Sequence, residues 1–151
     1  MVATYTASTA ARGQRPAPAA SGGCLRILVV DDSALIRELV SSHLRELAAG
    51  AYELDIDTAD SGEQALARTK EQAYDLIFLD LEMPGMGGLE ACRRLRRDTR
   101  ARIAMLSGVT TAEAHAAGRA AGCDNYLTKP PHDADLRSVL RLVSLHKMTS
   151  A

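Results

Sequence analysis

Between Asp75 and Gly88 the chain runs through four consecutive apolar residues, Leu76-Ile77-Phe78-Leu79, into a single carboxylate, Asp80, and then into the turn Leu81-Glu82-Met83-Pro84-Gly85-Met86-Gly87-Gly88. A short continuous apolar run bounded by turn signals fits a strand buried on both faces. Asp80 then stands at the carboxyl end of a parallel strand, where open α/β sheets hold their ligands. An ionised carboxylate beside so much hydrocarbon is costly unless a cation or hydrogen-bond donors meet it.

The same pattern recurs along the chain. Leu25 to Val30 is a second buried-strand run, and it ends in Asp31-Asp32-Ser33. Asp32 or Ser33 caps a helix carrying Leu35, Ile36, Leu39, Val40, Leu44 and Leu47 at i, i+3, i+4 spacing until Gly50. Tyr52 to Thr58 alternates apolar and acidic residues, as an edge strand with one wet face does. Ser61-Gly62-Glu63-Gln64 opens a helix through about Gln72 with a capping box. After Gly88 a helix runs to about Arg97, and Ile103 to Leu106 is a short strand ending at Ser107-Gly108. Thr110-Thr111-Ala112-Glu113 caps an Ala-rich helix that Gly122 stops. Asn125 to Thr128 is the last strand, closed by Lys129-Pro130-Pro131, and a final helix covers roughly Asp133 to Leu145, with Leu136, Val139, Leu140 and Val143 on one face. Five strands alternating with five helices predict one doubly wound parallel α/β sheet.

Successive parallel strands point the same way, so Asp31, Asp32, Asp80, Ser107 and Lys129 are expected on one edge. Like-charged carboxylates ~4 Å apart at an effective dielectric of ~20 cost about 4 kcal/mol per pair. A hard divalent cation removes that cost, and Mg2+ suits a few carboxylates plus a phosphate oxygen. With a lysine and a hydroxyl on the same edge, the set reads as apparatus for moving a phosphoryl group onto a carboxylate. No GxGxxG follows the first strand, which sets aside a nicotinamide enzyme.

The motifs Val29-Val30-Asp31-Asp32-Ser33, Leu79-Asp80-Leu81-Glu82-Met83-Pro84-Gly85-Met86-Gly87-Gly88, Leu106-Ser107-Gly108 and Tyr126-Leu127-Thr128-Lys129-Pro130 stand in the family order of bacterial response regulator receivers, which the chain from about Leu25 to Leu145 resembles. The resemblance implies a flavodoxin-like fold with strand order 2-1-3-4-5. It implies Asp80 as phosphoacceptor, Asp32, Asp80 and the Glu82 backbone carbonyl as Mg2+ ligands, and Asp31 as a ligand directly or through water. It further implies that Lys129 pairs with the phosphoryl group and precedes a cis bond to Pro130, that Ser107 is the switch hydroxyl and that Tyr126 is the switch aromatic. Glu82 and Val109, two residues past phosphoacceptor and switch, border the path of a hydrolytic water and are expected to tune the phosphoryl lifetime. Gly87 replaces the polar residue usual before Gly88, which loosens that turn.

The function expected is a stand-alone receiver, not an enzyme, phosphorylated by a histidine kinase or histidine phosphotransfer protein. It would signal by protein contact, phosphorelay or a phosphorylation-dependent dimer. Two alternatives are a receiver-like binding module independent of phosphorylation and a haloacid-dehalogenase-type phosphatase. The latter wants a second Asp where Glu82 stands. With 151 residues, 46% apolar and 25% charged, and a net charge of -1, nothing global suggests nucleic acid or a membrane, and a cytoplasmic location is expected. Cys24, Cys92 and Cys123 have neither CxxC nor metal spacing and read as free thiols. Residues 1–24, rich in Ala, Pro, Gly and Ser, are expected to form a flexible arm, 25–146 the receiver and 147–151 a tail. The run Arg93, Arg94, Arg96, Arg97, Arg100, Arg102 reads as a solvated helix face, and His43, His115, His132 and His146 receive no role.

Overall fold

Each apolar run becomes a strand because its residues alternate between two layers of helices, and the central strands show neither face to water while the edge strand β2 stays partly wet. The computed structural model describes residues 23–149, so most of the arm expected over 1–24 lies outside the described residues. The order is β1 (Cys24–Val30), α1 (Ala34–Ala48), β2 (Glu53–Ala59), α2 (Gly62–Glu71), β3 (Leu76–Asp80), α3 (Gly87–Asp98), β4 (Arg102–Ser107), α4 (Ala112–Ala121), β5 (Asn125–Thr128) and α5 (Asp133–Thr149). The strands are all parallel, in the order β2-β1-β3-β4-β5, as expected.

Ile27, Val29, Leu76, Phe78, Ala104 and Leu106 pack with Val40 and Leu44 of α1 and with Leu136, Val139, Leu140 and Val143 of α5. Their strand neighbours Leu28, Val30, Ile77, Leu79, Ile103 and Met105 pack with Ala65 of α2, with Ala91, Cys92 and Leu95 of α3, and with Ala121 of α4. The two-residue period of the strands thus sorts side chains between the two helix layers. Every residue of β3 is buried, as the uninterrupted apolar run requires. Cys24, Cys92 and Cys123 are free thiols, the last two buried.

Several boundaries differ from those read in the sequence. Of the two α1 caps the sequence offered, Ser33 is the one used, accepting the Ile36 N–H. The α4 cap is Thr111, accepting the Ala114 N–H at 3.2 Å, so the box read as Thr110 to Glu113 is displaced by one residue. In α2, Ser61 caps as expected while Gln64 reaches back to the Asp60 N–H. The last helix does not stop at Leu145: residues 147–149, expected as tail, continue α5 to Thr149. There Lys147 Nζ bonds the Cys24 carbonyl at 2.8 Å and Asp75 Oδ2 at 3.0 Å, tying the helix end to the starts of β1 and β3. Arg96 is no solvated side chain. Its guanidinium donates to the carbonyls of Gly122, Thr99 and Ala101 and to Asp124 Oδ2, joining α3 to the α4–β5 turn. Arg93 and Arg94 do lie on an exposed face, paired with Glu90.

Candidate functional site

Register alone brings the acidic residues together. Val30 pairs with Leu79, so Asp31 and Asp80, one residue on, emerge side by side from neighbouring strands. Asp80 in turn pairs with Leu106, and Ser107 with Thr128, which places Ser107 and Lys129 on the next two strands of the same edge. The buried polar side chains among the described residues are Asp31, Ser41, Asp80 and Ser107, and three of these four belong to this edge.

Lys129 is the cation at their centre. Its Nζ lies 3.1 Å from Asp31 Oδ2 and 3.0 Å from Asp80 Oδ1. Burial works to lower its pKa, but the hydrogen bonds and charges of Asp80 and Asp31 outweigh it and hold the ammonium above its ordinary value of 10.5. The peptide bond from Lys129 to Pro130 is cis, as the resemblance implied. Asp31 Oδ1 accepts the Ser33 N–H at 2.8 Å, and Asp80 Oδ1 also accepts the Glu82 N–H at 3.1 Å. Asp31 Oδ2 and Asp80 Oδ2 are both buried; the first meets the Lys129 ammonium as an ion pair, and the second has no hydrogen-bond partner among the described residues. Burial, the largest influence on Asp80, raises its carboxyl to about 6, with the Asp31 charge adding to the rise and Lys129 opposing it.

Oxygens of Asp31, Asp32 and Asp80 lie within 4.8 Å of one another, with Asp32 exposed at the mouth. One ammonium facing three carboxylates leaves the cluster net negative. Asp80 Oδ2, buried and without a donor among the described residues, Asp31 Oδ2, which meets the Lys129 ammonium, and the Asp32 carboxylate at the opening form a hard-oxygen donor set that fits Mg2+.

The remaining predicted residues ring this cluster. Ser107 Oγ is buried and accepts the Val109 N–H at 2.9 Å within its own loop. The Tyr126 hydroxyl donates to the Val109 carbonyl at 2.7 Å. Val109 itself is exposed. Glu82 is exposed too, and its Oε1 accepts the Gly108 N–H at 3.0 Å.

Two participants, His115 and Arg37, escaped sequence reading, and Gly88 of the β3 motif shows its reason only in the structure. His115 of α4 stacks on Tyr126 with ring centroids 4.1 Å apart, although nothing in a lone histidine of an Ala-rich helix announces it. Arg37 of α1 donates to the Asp31 carbonyl at 2.7 Å, and only its place one turn into the helix after the acidic pair was a signal. Gly88 is fixed by contact, since a Cβ there would lie 2.4 Å from the Asp80 carbonyl oxygen and 2.5 Å from Leu81 Cα. Gly87, read as a loosening of the turn, has φ of 74° and so occupies the left-handed region that favours glycine.

The family model of the response regulator receiver domain matches residues 27–141. This chain belongs to that family. Receiver domains are signalling domains that are generally phosphorylated on an aspartate by histidine kinases and bind Mg2+ in an acidic pocket. This receiver is 43% identical over 115 residues to the transcriptional regulatory protein ResD of Bacillus subtilis, a match covering 74% of the chain and 45% of ResD. It is 39% identical over 105 residues to the DNA-binding response regulator MtrA of Mycobacterium tuberculosis, covering 70% of the chain and 44% of MtrA. The solved structure of the chemotaxis protein CheY4 of Vibrio cholerae superposes with a TM-score of 0.68 at 34% identity, over 80% of this chain and 98% of that one. The receiver thus spans about half the length of the curated relatives it matches. DNA binding is named for MtrA as a whole protein, and the expectation of no nucleic-acid partner draws no support from these relatives. Among the described residues no helix is long and apolar enough to cross a membrane.

Proposed function

We propose that this receiver accepts a phosphoryl group on Asp80 Oδ2 from a histidine kinase or histidine phosphotransfer protein, and signals by protein contact or by passing the group on. The observation that carries the reading is the state of that atom. Asp80 Oδ2 is buried and lacks a hydrogen-bond donor, while the other oxygen of the same carboxylate is held by Lys129 and the Glu82 amide. A carboxyl raised to about 6 is still largely ionised at neutral pH, and a poorly solvated, more basic carboxylate is a better nucleophile. In the transfer Asp80 Oδ2 bonds to phosphorus as the phosphorus–nitrogen bond to the donor imidazole breaks, and the released nitrogen takes a proton.

Asp31, Asp32, Asp80 and the Glu82 carbonyl would hold Mg2+, which when bound neutralises charge on the phosphoryl oxygens. Lys129 needs no rearrangement of its stem to serve a phosphoryl oxygen, since it already sits at Asp80. Ser107 supplies a hydroxyl one strand away, and Tyr126 answers its movement through Val109, whose N–H donates to Ser107 Oγ and whose carbonyl accepts the Tyr126 hydroxyl. Glu82 and Val109 keep their proposed part in setting the phosphoryl lifetime.

Intact mass after incubation with Mg2+ and acetyl phosphate, with Asp80→Asn in parallel, tests this directly. Gain of one phosphoryl mass in the parent alone, abolished by chelation, is expected. No gain, with a cognate kinase also failing to label the chain, would leave a binding module that works without phosphorylation.

A further inference from the structure

The rim of the site carries a fourth carboxylate, and its contact runs to the β4–α4 loop and not to the acidic cluster. Glu82 lies two residues past Asp80, and its Oε1 takes the N–H of Gly108, the residue that follows Ser107. Ser107 Oγ meanwhile accepts the Val109 N–H. The Gly108 amide is the first backbone donor after Ser107, and in this structure it points at a negative oxygen supplied by the protein itself. Among the described residues no hydrogen bond or ion pair from another side chain holds Glu82 on this rim.

We propose that Glu82 is a latch. Its carboxylate stands in for a phosphoryl oxygen on the Gly108 amide and holds the β4–α4 loop in its unphosphorylated position. The inference rests on Asp80 being the phosphoacceptor. Asp31, Asp32, Asp80 and Glu82 set four negative charges against the Lys129 ammonium and the Mg2+ that phosphorylation needs, and a phosphoryl group on Asp80 adds to that negative charge and repels the Glu82 carboxylate. Glu82 is already exposed, and its release returns it to water at small cost. The freed Gly108 amide then meets the phosphoryl oxygen in place of the oxygen it has lost, and Ser107, one residue back, travels with it. The position of the loop is decided by which of two anions holds one N–H. Glu82 is a positioning residue for the switch.

Titration of Mg2+ and beryllium fluoride, a tetrahedral phosphoryl analogue, into the parent, Glu82→Gln and Glu82→Ala tests the latch, with amide NMR reading the Gly108 signal. Gln reaches as far as Glu and still offers an acceptor oxygen, but carries no charge. Before any analogue is added, Glu82→Ala is expected to move the Gly108 amide resonance and raise its hydrogen exchange, while Glu82→Gln leaves both near the parent. Glu82→Ala is expected to tighten the apparent affinity about tenfold, which corresponds to about 1.4 kcal/mol, and Glu82→Gln by less. Equal affinity in all three overturns the latch. So does equal tightening by Gln and Ala with Gly108 unmoved, which assigns the effect to charge alone. No saturable response in any variant overturns the phosphoacceptor reading, whereas a parent that responds while Asp80→Asn does not keeps that reading intact whatever the Glu82 variants do.

Discussion

An ionised Asp80 is bought at the expense of stability. Its carboxyl is fully buried, and its pKa in the folded chain is raised from 3.8 to about 6. Between these values the folded protein keeps a proton that the unfolded chain has released. The stabilising contribution is therefore complete below 3.8 and is lost as pH rises through 6. A shift of about two units corresponds to about 3 kcal/mol. In buffer with chelator, urea unfolding of the parent and of Asp80→Asn at a series of pH values is expected to show the variant gaining on the parent by about 2 to 3 kcal/mol between pH 4 and pH 7. A difference that stays flat with pH would refute this account. At this scale Asp31, Asp80 and Ser107 were legible because each closes an apolar run, where a polar residue has few structural reasons to be, and Lys129 was legible from its place at the end of the last strand, ahead of two prolines. The Glu82–Gly108 and His115–Tyr126 contacts were not, because they join residues of separate segments through no periodic pattern.

The β3–α3 turn shows how two adjacent glycines answer different demands. At Gly88 the obstacle is the backbone of Asp80 and Leu81, which a side chain cannot displace without moving the end of β3. At Gly87 a Cβ meets nothing within 4 Å, and the demand is the positive φ alone. Gly88→Ala is accordingly expected to cost more than 2 kcal/mol and Gly87→Ala about 1 to 2 kcal/mol. Comparison of their urea midpoints decides it, and the reverse order would show that the turn yields at Gly88. Elements were legible where periodicity was long. Their ends were not: adjacent threonines at 110 and 111 offer the same local cap chemistry to α4, and the continuation of α5 to Thr149 is held by tertiary partners such as Asp75 for Lys147. Arg96 misled for the same reason: its acceptors, three backbone carbonyls and Asp124, belong to no motif.

Across the whole molecule, five strands in one parallel sheet put four site residues on four neighbouring strands while the chain between them travels through helices to the opposite edge and back. That topology was legible because alternation of strand and helix leaves few other arrangements. It also separates the site from the turns that return the chain. Gly50, in the turn between α1 and β2, has φ of 81° and open space around its Cβ position. Two residues inserted there would lengthen a loop whose closure cost grows only with the logarithm of its length. Such an insertion after Gly50 is expected to leave the extent of phosphorylation by acetyl phosphate unchanged and to lower stability by about 1 kcal/mol or less. Mass and urea unfolding measure both, and loss of labelling would show that strain at this turn reaches the site.

The pairing register of the sheet works as a ruler that counts in strands and ignores how many residues lie between them. Asp31, Asp80, Ser107 and Lys129 are spaced by hydrogen-bonded neighbours, so helices can lengthen, shorten or change partners while the four side chains stay at the same separations. A chain built this way can acquire new outer surfaces, and with them new correspondents, without re-tuning its chemistry.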